Sequence, residues 1–444
     1  MRFLSILFLV PMMSTAERIN QEGRILGPLP VVTTPLLFNT PAADAVVSAM
    51  QILPQTNAWN EDISLRPLLP NSAAMIARVK SDLAVNSGRQ NLRLFSEMNY
   101  VLVPDSQPVV PIKFFEYPNE SDLDGGTFPN GIYPIPANLP VEGWPVETGG
   151  ITNAAWQQDL KGVGGDRHSI IVKPGAGFLW ETWQAKRTGT FWKAANGAKW
   201  NLASNALRQA GWTSADAAGL AMFPALVRYD ECQRGMVEHA LRLIVKNTRT
   251  GPIYPATHQA SNPATSNPNV PAMGQRFRLK PDFVIQKSWS IQEKAVLRGL
   301  KKYGALVADN GGFFSVSITP DDRYPADCFS HILNNIDINN FEVIQTTGAN
   351  AGPRSPGAPK VNAGANLQAT TGSTVYLVGK ITSQGAVTVR WKLYSGPAPV
   401  LFGNAAVSST TALFSVPGSY TLMLSAGDDI HAVAYDATLV TVSQ

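Results

Sequence analysis

"GMVEHALRLIVKN", residues 235–247, reads as a β-strand, and its alternation sets the terms for the rest of the chain. A period of two puts Val237, His239, Leu241, Leu243 and Val245 on one face. Met236, Glu238, Ala240, Arg242 and Ile244 fall on the other. The neighbours Glu238 and His239 therefore cannot work as an acid–base pair. His239 goes with the leucines as a core histidine, while Glu238 shares its side with Arg242 as an ion pair or a polar cleft floor. Similar runs recur along the chain: "YVLVP", "VVPIKFFEY", "HSIIVKP", "GFLWETWQA", "ALVRYDE", "QRFRLKPDFVI" and "ALVADNGGFFSVSIT". Helical periodicity is confined to a few places. "NSAAMIARVKSDLAV" puts Met75, Ile76, Val79 and Leu83 on one face. "SIQEKAVLRGLKKYG" opens on a Ser290–Glu293 capping box and stops at Gly304. No regular βαβ alternation appears. The fold class expected is mainly β: an antiparallel β-sandwich or jelly-roll-like main domain with a few helices.

Composition fits that class. Of 444 residues only 15% are charged, against 36 Gly and 33 Pro, which suits a turn-rich globular protein. A net charge of +4 with no Lys/Arg run excludes a nucleic-acid partner. "MRFLSILFLVPMMSTA", residues 1–16, has a basic start, an apolar stretch too short to span a bilayer and a small-residue end. It reads as a signal peptide, so a secreted, extracellular or periplasmic protein is expected, with no membrane span after cleavage. Export would permit a disulfide between Cys232 and Cys328, whose pairing the sequence leaves open. A monomer is expected.

"GANAGPRSPGAPK", residues 348–360, is a Gly/Pro linker between a main domain at 25–347 and a C-terminal domain at 361–444. Beyond it, "STVYLVGKIT", "AVTVRWKLYSG", "TALFSV", "GSYTLMLSAGD" and "AYDATLVTVSQ" are short alternating strands with the spacing of a sandwich. With "VNAG" at 361–364, "VRWKLYSGP" and the closing "VTVS", this region resembles a PKD-type immunoglobulin-like domain of extracellular proteins. The resemblance implies a spacer or adhesion module without catalysis. The main domain resembles an uncharacterised family of secreted bacterial proteins. "AWNEDIS" (58–64), "GGDRHSIIV" (164–172), "GWTSADAAGLAMFPALVRYDE" (211–231), "YPATHQA" (254–260) and "MGQRFRLK" (273–280) are among the stretches that carry it. That resemblance implies export and a domain boundary, but no mechanism.

The densest chemical feature is aromatic: Trp180, Trp183, Trp192, Trp200 and Trp212 fall within 33 residues. Indole faces pack against the C–H surfaces of sugars, so a polysaccharide or other glycan is the expected partner. In "GFLWETWQA", Glu181 and Trp183 share a face, which makes Glu181 the leading catalytic carboxylate of a glycoside hydrolase. A second carboxylate would come from Asp309, beside Asn310 in "ADNGG", or from Asp230 or Glu231. The alternative is a polysaccharide lyase. There His258 would be the base and Tyr254 its neighbour, with Arg276, Arg278 and Lys280 forming a cationic strand face for uronate carboxylates. A non-catalytic glycan-binding or adhesion protein is the third reading. No cofactor is expected. His168, His239, His258 and Glu181 offer a set for a divalent metal, without close ligand spacing. "GVGGDR" lacks the Lys-Ser/Thr of a P-loop, and no G-x-S-x-G elbow is present.

Overall fold

A computed structural model describes residues 17–96, 98–146, 148–158, 165–260, 265–346, 357–431 and 433–444. The expected signal peptide and most of the expected linker lie outside the described residues. The protein is mainly β and divides into two compact units, Gly27–Ser355 and Met1–Leu26 with Pro356–Gln444. Among the described residues no helix is long and apolar enough to cross a membrane.

Among the described residues the larger unit is built on three sheets of four, five and six strands. The five-stranded sheet explains the tryptophan-rich stretch, because both of its faces are buried. On Ser169–Lys173 and Phe178–Trp183, Ile170, Val172 and Leu179 enter the main core. Ile171 and Trp180 enter a second core with Ile112, Phe114 and Tyr133 of the four-stranded sheet. Strand parity is as expected, but both faces are packed along most of the sheet and only its Trp183 end opens onto a cavity.

The six-stranded sheet is mixed, which departs from the antiparallel expectation. Leu241–Val245 pairs parallel with Ala305–Asn310 and antiparallel with Ser315–Ser317. The strand in the opening stretch starts only at Leu241, so Glu238 and His239 lie on the approach to it. "ALVRYDE" is not a strand either. Tyr229–Arg234 is a short helix with Asp230 and Glu231 in its first turn and Gly235 closing it at φ 78°. Acidic residues suit that position because the first turn leaves backbone N–H groups unpaired. The helix Ile291–Lys302 carries the expected Ser290–Glu293 capping box. It sends Val296, Leu297 and Leu300 into the core. At Gly304, φ is +66° and a Cβ would lie 2.3 Å from the Phe277 carbonyl oxygen, so only glycine fits there.

Parallel pairing sets up the site. It brings the C-terminal ends of Leu241–Val245 and Ala305–Asn310 to the same sheet edge, where open sheets commonly form crevices. A bulge shifts the register so that Leu243 faces Val307 but Ile244 faces Asp309. Such a bulge re-aims the side chains that follow it.

The smaller unit packs a four-stranded sheet against a three-stranded one around Leu377, Trp391, Phe414, Tyr420, Leu422, Leu424 and Val440. The Tyr420 hydroxyl donates to the Val416 carbonyl four residues upstream at 2.7 Å, tying a loop to the sandwich. A hairpin of Arg18–Ile19 and Ile25–Leu26 belongs to this unit. Its Ile19 packs with Met423 and Ala437, and the Ile25 N–H donates to the Tyr394 hydroxyl at 2.9 Å.

Candidate functional site

A cavity of about 570 Å³ opens in the larger unit, within the size range of ligand sites. Three segments wall it. Asp166, His168 and Trp183 come from the ends of the five-stranded sheet. Lys246, Asn247, Asp309 and Asn310 come from the parallel strand ends. Thr213, Ser214, Ala215 and Ala217 come from an intervening loop, and Tyr117 and His258 complete the rim. A smaller lobe of about 170 Å³ shares Asp166, His168, Asp309 and Asn310 with it.

Backbone held in unfavourable geometry shapes one wall. Arg167, between Asp166 and His168, sits at φ 51°, and the facing Gln184 sits at φ 55°. Left-handed conformations of non-glycine residues cost about 1–3 kcal/mol each and persist where the surroundings enforce them. Here the Arg167 guanidinium is buried and donates to the carbonyls of Ala185 and Trp156 at 3.0 and 2.9 Å. The Gln184 and Ala185 N–H groups donate back to the Asp166 and Arg167 carbonyls.

Under the floor lies a buried charge network. His168 Nδ1 meets Glu142 Oε2 at 2.8 Å, and Nε2 meets the Ala215 carbonyl at 2.9 Å. A carbonyl only accepts, and a carboxylate does the same, so both ring nitrogens act as donors and the ring is an imidazolium. Burial opposes that charge, but Glu142 outweighs it and lifts the pKa to about 9. Arg242 grips Asp216 through Nε and Nη2 at 2.9 and 2.7 Å. Nη2 also reaches Asp309 at 2.7 Å. Glu142, Asp216 and Asp309 thus oppose two cations, His168 and Arg242. Protonating Asp309 balances the set. In keeping with this, burial pushes Asp309 up against the pull of Arg242, with Asp216 adding to the rise, to about 6.

His258 Nδ1 lies 2.7 Å from the Ala217 carbonyl, which makes Nδ1 the protonated nitrogen. Nε2 has no partner among the described residues, so in the neutral ring its lone pair faces the cavity and can serve as a base. Lys246 has no ion-pair partner among the described residues. On the aromatic side, the Tyr117 and Trp183 rings lie 6.0 Å apart at 32°, and the Trp183 indole N–H donates to Asp166 Oδ1 at 3.3 Å.

The cavity therefore gathers Asp309, Asn310, His168, His258 and Trp183 from the residues singled out in the sequence, with Arg242 beneath them. The others lie elsewhere. Glu181 is fully buried, and its carboxylate accepts from the N–H groups of Met222 and Phe223 at 2.8–3.0 Å. Burial raises it to about 7 against those bonds. It anchors a core turn and lines no part of the cavity. Asp230 and Glu231 are structural too: Glu231 pairs with Arg228 at 2.8 Å and His239 at 3.1 Å, and Asp230 pairs with Arg234 at 2.6 Å. Glu238 lies near Arg234, at 3.7 Å, and Arg242 takes Asp216 and Asp309 instead of Glu238.

Trp180 and Trp192 belong to the second core. Trp212, like Trp200, stacks with Arg208. The expected cationic face is consumed by structure. Arg278 is buried against Glu342 and the carbonyls of Ile63 and Ser64. Arg276 is buried beside Ala58 and Glu61, and Lys280 follows the strand's end. Tyr254 shares a separate small recess with Glu61, Arg66 and Arg276. No group of three or more His, Cys, Asp or Glu side chains that could hold a metal occurs among the described residues, so the histidine set does not assemble. Cys232 and Cys328 are free thiols, both buried.

Asp166, Tyr117, Lys246, Asn247, Glu142 and Asp216 were not singled out in the sequence. Asp166 had a signal: it follows two glycines and precedes an apolar strand, as Asp309 precedes two glycines after one.

No protein-family model matches the chain, and no curated protein matches it. Solved structures similar to part of it include the PKD domain from KIAA 1837 protein. That match has 23% identity over 19% of this chain and 84% of that one, with a TM-score of 0.17. The PKD domain (329–428) from human KIAA0319 matches at 19% identity over 21% and 90%, with a TM-score of 0.18. The D00-D0 domain of intimin matches at 14% over 19% and 48%, with a TM-score of 0.17.

Proposed function

We propose that the protein is a secreted polysaccharide-degrading enzyme whose active site is the cavity between Trp183 and Asp309. The observation that carries this reading is a paired aromatic wall, Tyr117 and Trp183, in the same cavity as an acid whose pKa lies near neutrality. Aromatic rings take the apolar faces of sugars, and a carboxyl of pKa about 6 can hold a proton and release it in use. Asp309 is the general acid toward the glycosidic oxygen. Asp166, aligned by the Trp183 indole, is the carboxylate that activates water, giving glycoside hydrolysis by two carboxylates. The six-stranded sheet fixes Asp309, and the strained turn at Arg167 fixes Asp166. The C-terminal sandwich is a non-catalytic PKD-like spacer or adhesion module.

A second reading rests on His258 and Lys246. An imidazole nitrogen and an ammonium without ion-pair partners among the described residues, in one cavity, suit a lyase, with His258 removing a proton beside a uronate carboxylate that Lys246 neutralises. A panel of neutral and uronate polysaccharides tests both. Reducing ends released without unsaturated uronate ends support the hydrolase, and ultraviolet-absorbing unsaturated ends support the lyase. Absence of both binding and product across the panel overturns the glycan reading.

A further inference from the structure

The smaller lobe differs in chemistry from the main cavity, and that difference bears on the substrate. The main cavity is ringed by Asp166, Lys246, Asn247, His258 and Asn310. The lobe is walled by Phe95, Met98, Ile244 and Phe313, with the Phe95 and Phe313 rings 5.9 Å apart. Its polar lining besides the residues shared with the cavity and the buried Glu142 is Arg242, Ser315 and Ser317. Arg242 is committed to two carboxylates, and Ser317 Oγ to Arg242 at 3.3 Å. Ser315 is fully buried, and its hydroxyl has no hydrogen-bond partner among the described residues. Away from the residues shared with the main cavity, four apolar side chains and one unspent hydroxyl offer few partners to the hydroxyls of a bare sugar. They suit a substituent with a methyl group and a carbonyl oxygen side by side.

We infer that the lobe accepts the acetyl group of an acetylated sugar, either an acetamido sugar or an O-acetyl ester. This rests on the glycan reading above and adds the substrate class. The methyl packs between Phe95, Phe313, Met98 and Ile244, and the carbonyl oxygen accepts from Ser315. The sugar ring continues into the main cavity past Asp166 and Asp309, the residues both spaces share. The acetylated residue therefore sits immediately beside the bond that is cut.

Calorimetric titration of the full chain against two matched pairs tests this. One pair is chito-oligosaccharide and cello-oligosaccharide, which share a backbone and differ in the acetamido group. The other is O-acetylated xylo-oligosaccharide and its saponified form. The acetylated member of one pair is expected to bind at least about tenfold tighter, the discrimination an apolar pocket gives for a small added group. The pair that discriminates identifies amide or ester. Phe313→Ser, with Phe95→Ser as an independent second variant, is expected to erase the preference, read as the ratio of the two affinities within a pair, which a general loss of binding does not change. Equal affinities within both pairs overturn the inference and leave the glycan reading standing. Binding to none of the four overturns both.

Discussion

Glu181 offers the sharpest stability prediction, because the same carboxylate invites a catalytic reading from sequence. Its oxygens accept from two backbone N–H groups of a buried turn, and the side chain has no exposure. Glu181→Gln keeps the shape but turns one acceptor into a donor facing those N–H groups. An unsatisfied buried donor costs about 1–3 kcal/mol. The pH dependence is the stronger test. The Glu181 pKa is raised from 4.5 to about 7 on folding, so the fold favours the protonated form. Its stabilising contribution is whole below the unfolded value and is lost as pH rises through about 7. At about 1.36 kcal/mol per unit, the wild type loses about 2.5 kcal/mol from this group between pH 5 and pH 8. Glutamine does not titrate, and every other group is common to both proteins. Urea unfolding followed by tryptophan fluorescence should therefore show the variant's deficit shrinking by about 2.5 kcal/mol across that range. A deficit that stays constant or widens would mean that Glu181 does not titrate near 7 in the folded protein.

Other substitutions separate cavity from core. Trp183→Ala should weaken glycan affinity by about tenfold in calorimetry with little change in unfolding midpoint, whereas Trp180→Ala, in the second core, should cost about 3–5 kcal/mol in denaturation. Arg242→Met leaves Asp216 and Asp309 without their cation. A loss of about 3–5 kcal/mol is expected in urea unfolding, and a neutral effect would mean that the pair is not held as described. Ile19→Ala should destabilise the smaller unit by about 2 kcal/mol, read as a lower thermal midpoint, because Ile19 covers Met423 and Ala437.

Much of the architecture was legible in residue patterns. Alternation in "GFLWETWQA" placed Glu181 and Trp183 on one face, and the Ser290–Glu293 capping box marked a real helix start. Alternation does not say whether a face meets solvent or a second sheet. Glu181 therefore read as a cleft residue until the main core was seen to cover it. "ALVRYDE" misled because apolar residues run up to a helix whose first-turn acids and closing Gly235 are its only local marks. Arg242 was nameable as a polar floor residue but its partners were not: they lie 26 residues upstream and 67 downstream, a consequence of sheet pairing. His258 and Asp309 were nameable as residue types. Their company with Asp166 and Tyr117 depends on a bulge and a strained turn that carry no strong sequence signature.

In the proposed function Asp309 delivers a proton to the glycosidic oxygen. The most direct measurement is the pH profile of glycan cleavage for the wild type and Asp309→Asn, with affinity measured alongside. That role predicts a wild-type rate that falls as pH rises through about 6. It also predicts a rate lower by about 10²–10⁴-fold in the variant, with binding retained. Full activity in Asp309→Asn, on a glycan that the wild type cleaves, would contradict it.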